Sequence, residues 1–193
     1  MSADTTDRNR NRYNFSGVDS IWLFGYGSLI YKVDFPFLER QPAVICNWQR
    51  RFWQASHDHR GTPELPGRVV TLIEAPGATC KGMAYRVSPA VFDQLDVREK
   101  NGYLRFTTTL IFNDGSDELG LVYIATEDNE AFLGYAPEME IVHQIARASG
   151  PSGPNSEYLL RLASALRQLG AECPHTFALE AGLLSAMSKA DQN

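Results

Sequence analysis

SIWLFGYG (residues 20–27), VICNWQRRFWQ (44–54), GRVVTLIEA (67–75), CKGMAYRV (80–87), LRFTTTLIF (104–112) and LGLVYIAT (119–126) are the runs whose reading decides the fold. All are rich in β-branched and aromatic residues and are separated by Gly, Pro and Asn, the punctuation expected between strands. Arg68 to Ala75 is nearly continuous in Val, Leu and Ile, which predicts a strand buried on both faces. Leu104, Phe106, Thr108 and Leu110 alternate with Arg105, Thr107 and Thr109, which predicts a strand with one buried face. A small closed or half-closed sheet follows from about six such strands.

Helical signals lie between and after these runs. Ser88 reads as an N-cap and Pro89 as the first helical position, with Val91, Phe92 and Leu95 forming an apolar face up to Asp96. That helix should end in the polar turn Arg98-Glu99-Lys100-Asn101-Gly102. Pro137 opens a second helix, with Glu138 and Glu140 near its positive end and a stripe of Ile141, Ile145 and Ala148, stopped by Gly150. After the loop PSGPN, Asn155 can cap a third helix carrying Leu159, Leu162, Leu166 and Leu169, and Phe177 to Met187 suggests a shorter fourth. The irregular interleaving excludes a doubly wound βα array, so the class is α+β.

Met1 to Asp19 is polar and without hydrophobic period, which predicts a flexible tail. The expected organisation is therefore a tail over residues 1–19, one folded domain over 20–187 and a short polar tail over 188–193. The chain has 193 residues, of which 44% are apolar and 21% charged, the composition of an ordinary globular domain. Lys and Arg number 18 against 23 Asp and Glu, a net charge of −5 that argues against nucleic acid as a partner. No run approaches the roughly 18 apolar residues of a membrane span, so no membrane partner is expected. Cys46, Cys80 and Cys173 lack CxxC spacing and are odd in number, which suits a reducing cytoplasm. No motif specifies an oligomeric state.

Three segments can carry chemistry. Gly25-Tyr26-Gly27-Ser28-Leu29 follows a strand directly, and its glycines permit positive φ and close backbone approach, so that successive N–H groups can converge on an anion. A plain turn at a strand end is the competing reading. A dinucleotide site is excluded because the third glycine of that fingerprint is absent, and Lys32 is not placed as in a P-loop. Asp96 to Tyr103 is a polar cluster at a helix exit, where a partly buried carboxylate can serve as general base; the competing reading makes Arg98, Glu99 and Lys100 a solvated charge run. His57 and His59 alternate, but a metal site needs a third ligand and only His143 and His175 remain, so no metal is expected. Cys46 sits among strand-like residues with nothing to activate it, and the interleaved Arg50, Arg51, Phe52 and Trp53 read as core aromatics.

The ordered set WLFGYGSLIYKVDFP, RRFWQASHDHRGTPELPGRVVTLIE, GMAYRV, LDVREKNGY and GPSGPNSEYL resembles the ChaC-type γ-glutamylcyclotransferases, over about Ile21 to Leu183. The resemblance implies a mixed β-barrel with flanking helices and cofactor-free cleavage of glutathione to 5-oxoproline and Cys-Gly. It implies that Phe24, Gly25, Tyr26, Gly27, Ser28 and Leu29 hold the γ-glutamyl moiety, with Tyr103 also lining the site, and that Glu99 is the catalytic carboxylate. Arg68 is a further candidate for a substrate carboxylate, through its planar fork. Asn101 stands where some relatives have Gly, and Asn tolerates the left-handed geometry of such a turn. Two other functions are carried beside this one: cyclotransfer on other γ-glutamyl amines, and a non-catalytic ligand-binding regulator linked to cation transport.

Overall fold

β1 (Ile21–Gly25) is the seam of the molecule, because it pairs in opposite senses on its two sides. On one side it runs antiparallel to β3 (Gly67–Val87), from Ile21↔Val87 to Gly25↔Met83. On the other it runs parallel to β5 (Asp117–Ala125), from Trp22↔Gly120 to Phe24↔Val122. With β2 (Glu39–Ser56) and β4 (Tyr103–Phe112) the strands close into a barrel in the order β1-β3-β2-β4-β5. The computed structural model of the chain describes residues 4–190, so residues 1–3 and 191–193 of the expected tails lie outside the described residues.

Contacts divide the chain into two compact units, one of Met1–Gln49 and Leu72–Phe132, the other of Arg50–Thr71 and Leu133–Asn193. The first contains most of the barrel, whose strands bury side chains on both faces: Leu23, Tyr85 and Leu121 on one, Phe24, Leu110 and Ile124 on the other. It also contains α1 (Thr6–Arg10) and α2 (Val91–Arg98). The second contains α3 (Glu138–Arg147), the two-residue strands β6 (Ser149–Gly150) and β7 (Gly153–Pro154), α4 (Asn155–Gln168) and α5 (Pro174–Ala190). Its three helices pack on one another, burying Ile141, Ile145, Leu159, Leu162 and Leu166 of the apolar stripes read from the sequence together with Leu179 and Leu183 of α5.

Several expectations shift for identifiable reasons. The runs 67–75 and 80–87 form one strand, because the Pro76-Gly77 step bends β3 without ending it: Gly77 takes φ +81°, and its N–H donates to Asn47 Oδ1 at 2.9 Å, opposite the left-handed Asn47 of β2. Ser88 and Pro89 form a turn before the helix, with the Val91 N–H donating to the Ser88 carbonyl, so α2 starts at Val91, two residues beyond the expected first helical position, Pro89. Arg105, expected on the outer face of β4, is 1% exposed. It is covered by residues 4–18, expected as a flexible tail. Thr5 and Asn9 there are buried, and they are held by polar bonds rather than by apolar burial. At the other end α5 runs to Ala190, past the expected boundary at 187.

Candidate active site

β1 delivers its last residue, Gly25, into a bend at Tyr26-Gly27 that continues as a 3-10 turn over Ser28–Ile30. Neither Gly25 nor Gly27 takes positive φ; the need for glycine at position 25 is steric, since a Cβ there would stand 2.6 Å from Leu29 Cβ. The loop is anchored at both ends by tyrosine hydroxyls. Tyr26 donates to the Tyr123 carbonyl of β5 at 2.7 Å, and Tyr85 of β3 donates to the Leu29 carbonyl at 2.6 Å. Burial pushes the Tyr85 hydroxyl up to about 12, so it remains a donor at any ordinary pH. Phe24, Tyr26 and Leu29 are buried, which leaves the loop backbone and the Ser28 hydroxyl as the groups it can present to a ligand.

α2 brings the second half of the site. Its inner face carries Phe92, Leu95 and Asp96, and the position one turn beyond Asp96 is Glu99. The Glu99 side chain is 18% exposed and lies 3.4 Å from Arg98 Nε. The Arg98 Nη2 donates to Ser28 Oγ at 3.0 Å, and its Nη1 lies 2.5 Å from Asp34 Oδ1. Arg98 and Glu99 are therefore not a solvated charge run: one guanidinium spans the glycine loop, the segment after it and the carboxylate. Gly102, at φ +88°, supplies the left-handed residue of the turn into β4, while Asn101 does not adopt that geometry. Tyr103 begins β4, and its carbonyl accepts from the Thr5 hydroxyl and from Asn9 Nδ2.

Beneath Glu99 lies a buried polar network that sequence reading did not identify. The Tyr123 hydroxyl donates to Asp96 Oδ1 at 2.6 Å, and Arg105 Nη2 lies 3.3 Å from Asp96 Oδ2. Burial pushes the Asp96 carboxyl above its usual range, opposed by the Tyr123 bond and the Arg105 charge; burial and Asp96 together push the Tyr123 hydroxyl far up. Because the Tyr123 carbonyl also receives Tyr26, one residue of β5 ties the glycine loop to the helix bearing Glu99. The available signal was Asp96 itself, a carboxylate on the apolar stripe of a helix.

Arg68 belongs to the other unit, where its guanidinium donates to Gln144 Oε1 at 2.6 Å, to the Phe52 carbonyl at 2.9 Å and to the Gly134 carbonyl at 3.3 Å. Its backbone is gripped by Asn155, whose Oδ1 accepts from the Arg68 N–H and whose Nδ2 donates to the Arg68 carbonyl. In the same unit His175 Nε2 accepts the Phe52 N–H, and burial next to Arg51 and Arg68 lowers this imidazole to about 4. His59 Nδ1 lies 3.3 Å from Ser152 Oγ, and Arg60 Nη1 donates to the Pro154 carbonyl, so these segments pin the 150–155 hairpin. Among the described residues no group of three or more His, Cys, Asp and Glu is placed to hold a metal ion, and no helix is long and apolar enough to cross a membrane.

Comparison with known proteins adds the relationship. A family profile described as ChaC-like protein matches residues 21–185. A zebrafish (Danio rerio) protein named glutathione-specific gamma-glutamylcyclotransferase 1 is 42% identical, covering 89% of this chain and 93% of its own length. Gamma-glutamylcyclotransferase 2-3 of Arabidopsis thaliana is 41% identical over 90% of this chain and 93% of its own. Among solved structures, a yeast gamma-glutamyl cyclotransferase specific to glutathione superposes with a TM-score of 0.80 at 33% identity, over 86% of this chain and 96% of that one. With the profile spanning most of the chain and the barrel shared, the chain belongs to the ChaC-like protein family.

Proposed function

We propose that this protein is a glutathione-specific γ-glutamylcyclotransferase that uses Glu99 as its proton shuttle. The carrying observation is the placement of Glu99 beside Arg98 while Arg98 bonds Ser28, which puts a half-buried carboxylate next to the glycine loop. The names and the extent of the relatives support glutathione as the substrate.

The reaction needs no nucleophile from the protein. The substrate's α-amine attacks its own γ-carbonyl carbon, forming the C–N bond of a five-membered lactam while the γ-amide C–N bond breaks. Orientation supplies much of the acceleration for such a ring closure. The amine enters as an ammonium and loses two protons in becoming the lactam N–H, while the departing cysteinyl nitrogen gains two in becoming an ammonium; Glu99 relays them, taking each from the attacking nitrogen and delivering it to the leaving one. The products, 5-oxoproline and Cys-Gly, together contain every atom of glutathione, and no water is consumed. Backbone N–H groups of the Gly25–Leu29 loop stabilise the charge developing on the γ-carbonyl oxygen or hold the α-carboxylate. Arg68, spent on carbonyls and on Gln144, is assigned to the framework of its unit.

The test is to incubate the protein and its Glu99→Gln variant with reduced glutathione, oxidised glutathione and γ-glutamyl-alanine, and to quantify 5-oxoproline by mass spectrometry. Expected is turnover of reduced glutathione that falls by about 10²- to 10⁴-fold in the variant, the range for losing a general acid–base. Release from γ-glutamyl-alanine alone would keep the mechanism and replace the substrate. Binding of glutathione without turnover by the folded wild type would favour a regulator, and a fully active Glu99→Gln protein would remove Glu99 from its role.

A further inference from the structure

Tyr103 and Lys100 lie on the turn that carries Glu99, and the partners of their carbonyls come from the other end of the chain. The Thr5 N–H donates to the Lys100 carbonyl at 2.9 Å. The Thr5 hydroxyl stands 2.7 Å from the Tyr103 carbonyl and 3.0 Å from that of Lys100. Asp4 pairs with Asn101 as an isolated antiparallel bridge, so the segment before α1 is laid along the turn as a fragment of strand. Asn9, 0% exposed, then bonds the start of β4 on both sides of its amide. Nδ2 donates to the Tyr103 carbonyl at 3.0 Å, and Oδ1 accepts the Arg105 N–H at 2.9 Å. Its own carbonyl accepts from Arg105 Nη2, the same nitrogen that faces Asp96.

The contact continues beyond α1. The Arg105 guanidinium, whose Nε and Nη1 have no hydrogen-bond partner among the described residues, is enclosed by aromatic faces. Phe92 of α2 lies 5.0 Å from it, Phe15 5.2 Å and Tyr13 5.7 Å. Phe15 also stacks on Phe92, with centroids 5.1 Å apart and planes 12° from parallel. Two of the three rings that substitute for solvent around this buried cation thus come from the N-terminal segment. An amide side chain with donor and acceptor both used inside the protein specifies register more sharply than apolar contact does.

We propose that residues 4–15 are a positioning element of the reaction, a clamp in which Asn9 and Thr5 fix the 99–103 turn and thereby set where the Glu99 carboxylate stands. The proposal rests on Glu99 as proton shuttle. Neither Asn9 nor Thr5 touches substrate; both act through the turn. A reaction that depends on placing one carboxylate against an amine and then against a leaving nitrogen is sensitive to displacements of about 1 Å.

The test compares full-length wild type, Asn9→Ala, Thr5→Val and Glu99→Gln by steady-state glutathione turnover and by hydrogen exchange of peptides spanning 97–105, at a temperature where each is folded. Expected for Asn9→Ala is a kcat about 10- to 100-fold lower, a KM within twofold of wild type and at least tenfold faster exchange in the 97–105 turn. Thr5→Val, nearly isosteric, should show the same pattern with smaller amplitude, and it carries the test should Asn9→Ala not fold. Unchanged exchange in the turn, or a kcat within twofold of wild type in folded protein, would overturn the clamp. In that case an inactive Glu99→Gln leaves the cyclotransferase reading standing, whereas an active one removes Glu99 from the reaction and the clamp's catalytic role with it.

Discussion

Removing the Tyr123 hydroxyl tests whether the buried network under Glu99 is formed as described. In Tyr123→Phe the ring still fills its place in β5, where the side chain is almost wholly buried, but Asp96 Oδ1 loses a donor at 2.6 Å. Among the described residues, the carboxylate of Asp96, which is 1% exposed, then keeps the longer contact of Oδ2 with Arg105 Nη2 at 3.3 Å. A hydrogen bond to a charged acceptor contributes about 1.5–3 kcal/mol, so about 2 kcal/mol of stability should be lost at pH 7. For a chain of this size that lowers Tm by about 4–8 °C. The pH dependence adds a sign. The Asp96 carboxyl is raised in the folded state by burial, so its contribution to stability is fully present below the unfolded value near 3.8 and is lost as pH rises through the folded value. Deleting a bond that favours the ionised form raises that value further. The penalty of Tyr123→Phe should therefore be greatest near neutrality and shrink as acid protonates Asp96. The assay is urea unfolding of wild type, Tyr123→Phe, Asp96→Asn and the double variant, followed by tryptophan fluorescence at pH 7 and pH 4.5. A loss below about 0.5 kcal/mol at pH 7, or strict additivity of the two substitutions, would refute the network.

Two further outcomes follow from local geometry. Gly25→Ala places a methyl 2.6 Å from Leu29 Cβ, so the loop must shift; urea midpoints should show a loss of about 1–3 kcal/mol, and 5-oxoproline formation should fall further than a stability change alone explains. His175, held at about 4 against an ordinary 6.5, is neutral when folded, so the unfolded chain binds the extra proton between those values and stability rises with pH across that window; replacement by Gln should remove up to about 3 kcal/mol of this acid sensitivity in unfolding curves taken from pH 4 to 7.

The barrel was legible because its strands obey simple patterns. Leu110 and Phe112 are buried and Thr109 and Ile111 exposed, as period two requires, and the stripes of α3 and α4 face inward as their spacing predicts. The pattern fails where polar residues are satisfied by distant partners. Arg105 breaks the alternation of β4 because Asn9, Asp96 and three rings enclose it, none of them near it in sequence except Asp96. Asn155 reads as a helix cap and instead grips the backbone of Arg68 in β3. The glycine loop and Glu99 could be found as motifs, but Arg98, which joins them, looks like any surface charge until the backbone turns it inward. Hydrophobic period identifies which faces are covered; it has no term for a carbonyl waiting on a donor ninety residues away.

That separation bears on the order in which the chain acquires its structure. Thr5 and Tyr103 are 98 positions apart, and the parallel seam of β1 needs β5, which starts at Asp117. Synthesis at about 5–20 residues per second leaves the first strand and the amino terminus waiting several seconds for these partners. Loop-closure entropy further delays pairings of such long range. The turn bearing Glu99 should accordingly be among the last parts of the barrel to rigidify, with activity appearing after most of the secondary structure has formed.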